Sequence, residues 1–126
     1  MPVRSSTSSV HRWPDRAAVH AAALAWAERV AADREDVEAI GYLGSYARGD
    51  WGFGSDLDLI VVLRGELPPI GARARHWDTS AIPVPVDLLL YSRPEWRAAL
   101  DRSPRWATTV ENEAVWLTGG PNGSGS

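Results

Sequence analysis

The stretch that decides the fold is GSYARGDWGFGSDLDLIVVL, from Gly44 to Leu63. Its second half is an apolar run rich in β-branched residues, which predicts a buried strand. At the start of that run the chain places two aspartates, Asp56 and Asp58. Alternation along a strand puts both carboxylates on one face, with their Cα atoms roughly 6.5–7 Å apart. Two like charges at the mouth of a buried strand repel each other and lose hydration, so the pattern needs a physical reason.

A bound divalent cation would remove both costs. Mg²⁺ prefers carboxylate oxygen and is usually held by one or two protein carboxylates together with substrate phosphates. Two such ions about 3.5–4 Å apart can stabilise the attacking and leaving oxygens of a phosphoryl displacement. The alternative for Asp56 and Asp58 is a pair that only caps backbone amides of the turn.

A third carboxylate, Asp87, is the lone charge in the apolar strand VPVDLLLY, from Val84 to Tyr91. Side-chain alternation places Asp87 and Leu89 on one face of that strand and its other leucines on the opposite face. If this strand neighbours the first one, Asp87 can reach the same metals and accept a proton from an incoming hydroxyl. A structural ion pair is the alternative role for Asp87.

The Gly44-Ser45 pair lies where a short predicted strand, VEAIGYLGS, ends. Glycine permits a positive φ or a close approach of the backbone, and turn amides with a serine hydroxyl can hold phosphate oxygens. Ser45 could equally be a simple turn former. Arg48 either contacts a triphosphate or forms a salt bridge with Asp50 or Glu38. The stretch lacks the G-x-x-x-x-G-K-[ST] pattern, so no P-loop lysine is involved.

Taken together, these residues resemble the signature of the polymerase beta-like nucleotidyltransferase superfamily, which is Gly-Ser, ten residues, then Asp-x-Asp. The ARG after Gly-Ser and the Ser55 before Asp56 resemble the minimal nucleotidyltransferase branch. The resemblance covers roughly residues 36–118. It implies an α/β (α+β) fold with a small mixed sheet of three to four strands and flanking helices.

The resemblance also implies roles for individual residues. The catalytic carboxylates would hold two Mg²⁺ ions, and the turn residues would bind the nucleotide, with ATP as the substrate. The implied reaction moves a nucleoside monophosphate to an acceptor hydroxyl and releases pyrophosphate. The metal ligands are expected to be Asp56, Asp58 and Asp87, and the nucleotide-binding residues Gly44, Ser45, Arg48 and Ser55.

The short chain leaves few residues after Asp87 to hold an acceptor. A short chain with this motif resembles the antitoxin of a two-gene pair whose partner is a helical HEPN-domain ribonuclease toxin. That resemblance implies transfer of AMP to a tyrosine hydroxyl of the toxin. The alternatives are adenylylation of a small molecule such as an aminoglycoside, and a binding module without catalysis.

The remaining sequence sets the boundaries of the domain. The chain has 126 residues, no cysteine and a formal net charge of −3, which predicts one cytoplasmic domain without disulfides or a duplex-DNA surface. Residues 13–118 are expected to form the domain, with flexible tails at 1–12 and 119–126. No segment is long and apolar enough for a membrane span. A homo- or hetero-oligomer is possible.

Helix signals are clear at three places. Asp15 is a candidate cap for a helix that reaches Asp33, with Trp26 on its apolar stripe. Ser92 and Ser103 are candidate caps for two later helices. The segment ARGDWGFGS predicts a turn that opens with one helical turn, where Trp51 either stacks on a base or packs in the loop. A helical piece is expected near Ile70 to Trp77, and AVWLTG predicts a last short strand.

Overall fold

The computed structural model describes residues 14–50, 52, 54–69, 72–73 and 77–119. The predicted tail at 1–12, all but the first residue of the predicted tail at 119–126, the Trp51 side chain and most of the expected helical piece near Ile70 lie outside these residues. None of the helices in the described part is long and apolar enough to span a membrane.

The elements, in chain order, are α1 (Arg16–Asp33), β1 (Val37–Leu43), α2 (Ser45–Arg48), β2 (Leu57–Leu63), β3 (Val86–Ser92), α3 (Arg93–Arg102), α4 (Pro104–Glu113) and β4 (Val115–Thr118).

The four strands form one mixed sheet in the order β3-β2-β1-β4. β1 is antiparallel to both β2 and β4, whereas β2 and β3 are parallel. The long connection between β2 and β3 makes the parallel pairing possible, because parallel strands need a crossover of a dozen or more residues. The predicted α+β fold with a small mixed sheet is therefore confirmed.

Each long helix begins at the cap that its sequence predicts. The Asp15 carboxylate accepts a hydrogen bond of 2.9 Å from the Ala18 amide at the start of α1. Ser92 and Glu95 form a reciprocal capping box at the start of α3. Ser103 accepts a hydrogen bond of 3.2 Å from the Trp106 amide and so begins α4. These caps satisfy amides that the first helical turn leaves without partners.

The sheet is buried on both faces, as the apolar run of β2 predicts. Alternate residues of β2 enter two separate cores, one under α1 and one under α3 and α4. Trp26 of α1 is 1% exposed, which confirms it as a core residue, and its indole N–H donates to the Asp78 carbonyl. The β2 residues under α1 are Leu57, Leu59, Val61 and Leu63, and those under α3 and α4 are Ile60 and Val62.

β3 lies at one edge of the sheet, in agreement with the prolines before it. Pro83 and Pro85 precede the first ladder residue, where a missing amide hydrogen does not interrupt the sheet. Its side chains divide as the alternation predicts, with Leu88 facing the α1 core and Leu89 the opposite core.

Gly41, in the middle of β1, makes room for an aromatic cluster. A Cβ atom built on Gly41 would lie 2.7 Å from the Trp116 ring and 2.8 Å from the Val115 carbonyl oxygen. Trp116 lies in edge contact with Trp96, with ring centroids 6.0 Å apart, and Trp96 also packs on Trp106. The absence of a side chain at Gly41 therefore lets β4 close over β1 and joins the last strand to both helices of this face.

Replacement of Gly41 by alanine tests this packing. We expect Gly41→Ala to lower the free energy of unfolding by about 1–3 kcal/mol, because the methyl group must displace Trp116 or the β4 backbone. Urea unfolding followed by tryptophan fluorescence measures the change. Gly65→Ala is the matched control, since a Cβ at Gly65 meets no atom within 4 Å. Equal losses in the two variants would contradict the proposed contact.

Candidate active site

Three elements bring the signature residues to one end of the sheet. Leu43, the last residue of β1, lies opposite Asp58 on β2. Asp58 is in turn the direct partner of Asp87 across the parallel β2–β3 ladder. The adjacency on which a role for Asp87 depended is thus present. Asp58 is half-buried, whereas Asp87 on the edge strand and Asp56 just before β2 are exposed.

The backbone of Gly44 lies against the Asp58 carboxylate. Its φ of +91° lies in a region that only glycine adopts without strain. A Cβ at this position would lie 2.7 Å from an Asp58 carboxylate oxygen. The turn after β1 therefore leaves a cradle for the Asp58 carboxylate that any side chain would fill.

The electrostatics of Asp58 reflect this crowded position. Burial raises the pKa of its carboxyl, and the charges of Asp87 and Asp56 raise the pKa further. The nearby Arg48 guanidinium partly offsets these effects by lowering the same pKa. The ionised form of the Asp58 carboxylate is consequently destabilised in the fold, and a bound cation would stabilise it.

Arg48 ends the short helix α2 and lies in an acidic setting. Its guanidinium bonds to Asp50 at 3.2 Å and to Glu113 of α4 at 3.5 Å. The salt bridge to Asp50 was one of the predicted alternatives, whereas Glu38 pairs with Arg93 instead, at 2.7 Å. Since the Arg48 side chain is 45% exposed, it stays accessible to an anionic ligand.

The two serines of the signature lie in turns on either side of the site. The Ser45 carbonyl accepts hydrogen bonds from the amides of Gly49 and Asp50, which close the turn after α2. Ser55 closes the next turn, because its hydroxyl accepts from the Gly52 amide at 2.9 Å. The described contacts of Ser55 are thus internal to the loop that delivers Asp56 and Asp58.

The carboxylates suit a hard cation in their chemistry. Asp58 and Asp87 are oxygen donors on neighbouring strands. The raised pKa of Asp58 indicates that Arg48 offsets only part of the effect of burial and of the neighbouring aspartates. In the described chain, however, no three His, Asp or Glu side chains converge into a ready-made metal cage. A cation held by these carboxylates would therefore need further ligands, such as water or phosphate oxygens.

Glu113 belongs to the surroundings of the site, although sequence reasoning did not single it out. It lies 65 residues from Arg48 in the chain and reaches it from the end of α4. Arg16 of α1 similarly donates to the Ala47 carbonyl in α2 at 3.1 Å. Neither contact has a local sequence signal, because both depend on how helices pack around the turn.

Comparisons with known proteins identify the family and the fold of the chain. The model of the nucleotidyltransferase domain family matches residues 25–117. Among solved structures, a candidate nucleotidyltransferase from Sulfolobus solfataricus is 23% identical, with a TM-score of 0.57 and coverage of 80% of each chain. A toxin-antitoxin structure with AMP-PNP is also 23% identical, with a TM-score of 0.53, and the match covers 75% of this chain and 72% of the other.

No curated protein sequence matches the chain. At their level of identity the two solved structures support the fold alone. The family model covers well over half of the sequence, from within α1 to within β4, and includes Asp56, Asp58 and Asp87. The chain therefore belongs to the nucleotidyltransferase domain family.

Proposed function

We propose that this protein is a Mg²⁺-dependent transferase that moves AMP from ATP to a tyrosine hydroxyl of a partner protein, a HEPN-type toxin, and so acts as an antitoxin. The observation that carries the transfer chemistry is the register of Asp58 and Asp87 on adjacent parallel strands, with Gly44 turned against the Asp58 carboxylate. One or two such carboxylates, together with substrate phosphates, are the usual ligands of Mg²⁺ in sites of phosphoryl transfer.

The proposed role of each residue in the site follows from its position. Asp56 and Asp58 would hold Mg²⁺, which when bound neutralises phosphate charge and polarises the phosphate under attack. Gly44 and Ser45 would orient the β- and γ-phosphates beside the carboxylates. The exposed Arg48 side chain, which lies between Asp50 and Glu113, would add a charge-assisted contact to the triphosphate.

Asp87 suits the acceptor side of the reaction because it is exposed on the edge strand, next to Asp58. In the proposed step the acceptor oxygen attacks the α-phosphorus, and the bond from that phosphorus to the bridging oxygen breaks. Pyrophosphate leaves, and Asp87 accepts the proton of the attacking hydroxyl. Asp87 would also complete the set of metal ligands.

The choice of acceptor rests on two supports. The similar solved complex is a toxin-antitoxin pair that contains AMP-PNP, a nucleotide of the adenosine type. In the described part of the chain, Asp87 is exposed on an edge strand, where a protein-sized acceptor can approach it. A protein partner would bring the rest of the acceptor site with it.

The direct test combines the chain, labelled ATP, Mg²⁺ and the protein encoded beside it. We expect label on a tyrosine of the partner, located by mass spectrometry, and loss of that label when EDTA is added. Asp58→Asn and Asp87→Asn should each lower the rate by about a hundredfold or more. Asp101→Asn, an exposed carboxylate of α3, is the control. Label on an aminoglycoside but not on the partner would favour small-molecule modification instead.

Gly44 can be tested separately from general backbone strain. Gly44 and Gly49 both have positive φ, at +91° and +88°, but only a Cβ on Gly44 would meet Asp58. We expect Gly44→Ala and Gly49→Ala each to cost about 1–3 kcal/mol of stability. Isothermal calorimetry should show lost Mg²⁺-ATP binding for Gly44→Ala alone. Equal affinities for the two variants would contradict the cradle.

The raised pKa of Asp58 predicts a pH-dependent stability effect. Because its folded-state pKa lies above the unfolded value, ionisation of Asp58 weakens the fold as pH rises through the folded pKa. Asp58→Asn should therefore raise Tm at neutral pH, by roughly 1–3 °C for a partly exposed group. The difference should vanish below the usual aspartate range, and Mg²⁺ should raise Tm only in the wild type. Calorimetry at several pH values measures both effects, and a lower Tm for the variant at pH 7 would refute the idea.

A further inference from the structure

The outer edge of β3 has backbone groups directed away from the sheet. The Leu57 amide donates to the Pro85 carbonyl, so Pro85 and every second residue after it face β2. The backbone groups of Val86, Leu88 and Leu90 therefore point outward. No strand in the described part of the chain pairs with this edge.

One end of this edge is closed by an arginine. Arg73 donates to the Leu90 carbonyl at 3.1 Å and is fixed by two bonds of 2.7 Å to the Glu95 carboxylate. It also donates to the Pro68 carbonyl at 2.6 Å, and its side chain is only 11% exposed. A guanidinium thus occupies the place of a neighbouring strand at Leu90. The outward groups of Val86 and Leu88, on either side of Asp87, have no such cover among the described contacts.

An apolar groove of about 410 Å³ follows the same edge. It wraps from the strand to helix α3, and its walls are mainly aliphatic. Two arginines, Arg73 and Arg102, lie among the lining residues. The apolar walls include Leu88, Leu89 and Tyr91 of β3 and Ala98 and Ala99 of α3.

The groove lining includes Leu88, the residue after Asp87 on β3, and Leu89, which alternation places on the same face as Asp87. An extended segment paired with Leu88 would lie alongside Asp87, and its neighbouring side chains would reach Asp87 from the open edge. Arg102 is exposed and forms no ion pair with any described residue. Its charge is complementary to an acidic side chain on such a segment.

We infer that the β3 edge is the acceptor-docking surface, and that its occupant is an extended polypeptide segment of the acceptor protein. The segment adds a strand beside Val86 and Leu88, places an apolar side chain in the groove and an acidic one near Arg102, and presents its tyrosine hydroxyl to Asp87. Main-chain hydrogen bonds provide affinity and the groove provides selectivity. This inference rests on the proposed function and names how its acceptor is recognised.

Two surface variants separate docking from the chemistry. Ala98→Arg fills the groove and Arg102→Glu reverses its charge, and both positions are exposed on α3. Arg105→Glu on α4 is the control, because it makes the same change in charge outside the groove lining. With the full chain, ATP and Mg²⁺, the acceptor probe is a pooled library of synthetic peptides of about twelve residues, each with a central tyrosine. We expect both groove variants to lower AMP transfer by about tenfold or more, with Arg105→Glu unchanged.

Backbone methylation tests the strand pairing itself. In the best labelled peptide, N-methyl groups on alternate residues that face β3 should abolish transfer, whereas the same groups on the intervening residues should not. Hydrogen exchange should show slower exchange of the Leu88 amide when the unmethylated peptide binds. Mg²⁺-ATP affinity, measured by calorimetry, reports whether the nucleotide site of each variant is intact.

The outcomes are distinguishable. Peptide labelling that ignores the groove variants, or that is equally sensitive to both methylation patterns, overturns docking at β3 and leaves the proposed transferase activity standing. Label on small molecules with none on any peptide also overturns it. No Mg²⁺-ATP binding by the wild-type chain would remove the proposed function, and this inference with it.

Discussion

The repulsion between Asp58 and Asp87 is the constraint on which the proposed active site depends. Parallel pairing of β2 and β3 places these two carboxylates in register, and the turn at Gly44 brings backbone against one of them. Burial and like charge raise the pKa of Asp58, so the folded chain holds a charge that its own residues compensate only in part. The surrounding fold is what keeps this unfavourable arrangement in place.

The sheet can hold the arrangement because it is packed on both faces. The α1 helix covers one face with an aliphatic and tryptophan core, and α3 and α4 cover the other with a cluster of edge-to-face tryptophans. Gly41 allows β4 to lie close to β1, which brings Trp116 into that cluster. Strand β2 is therefore held between two cores, and this packing fixes the position of Asp58 near its start.

Sequence reasoning anticipated much of the architecture because the signals are local. Caps at Asp15, Ser92 and Ser103 begin the helices, since a short polar side chain can satisfy the free amides of a first turn wherever it occurs. The division of β2 between two cores follows from side-chain alternation alone. The partners of Arg48 were harder to predict, because Glu113 comes from a distant helix and a surface arginine can reach several carboxylates.

By itself, the sequence determined the residue types and spacing of the signature, the mixed α+β fold and the family to which the chain belongs. These properties depend on hydrophobic periodicity, turn chemistry and residues close together in the chain. Only the tertiary structure decided that Asp58 and Asp87 are direct partners, that Gly44 must lack a side chain beside a carboxylate, and that Arg73 covers one end of the β3 edge. The reason is physical: which strands pair and which distant side chains meet depend on packing between segments far apart in the chain, and residues close together in sequence do not specify them.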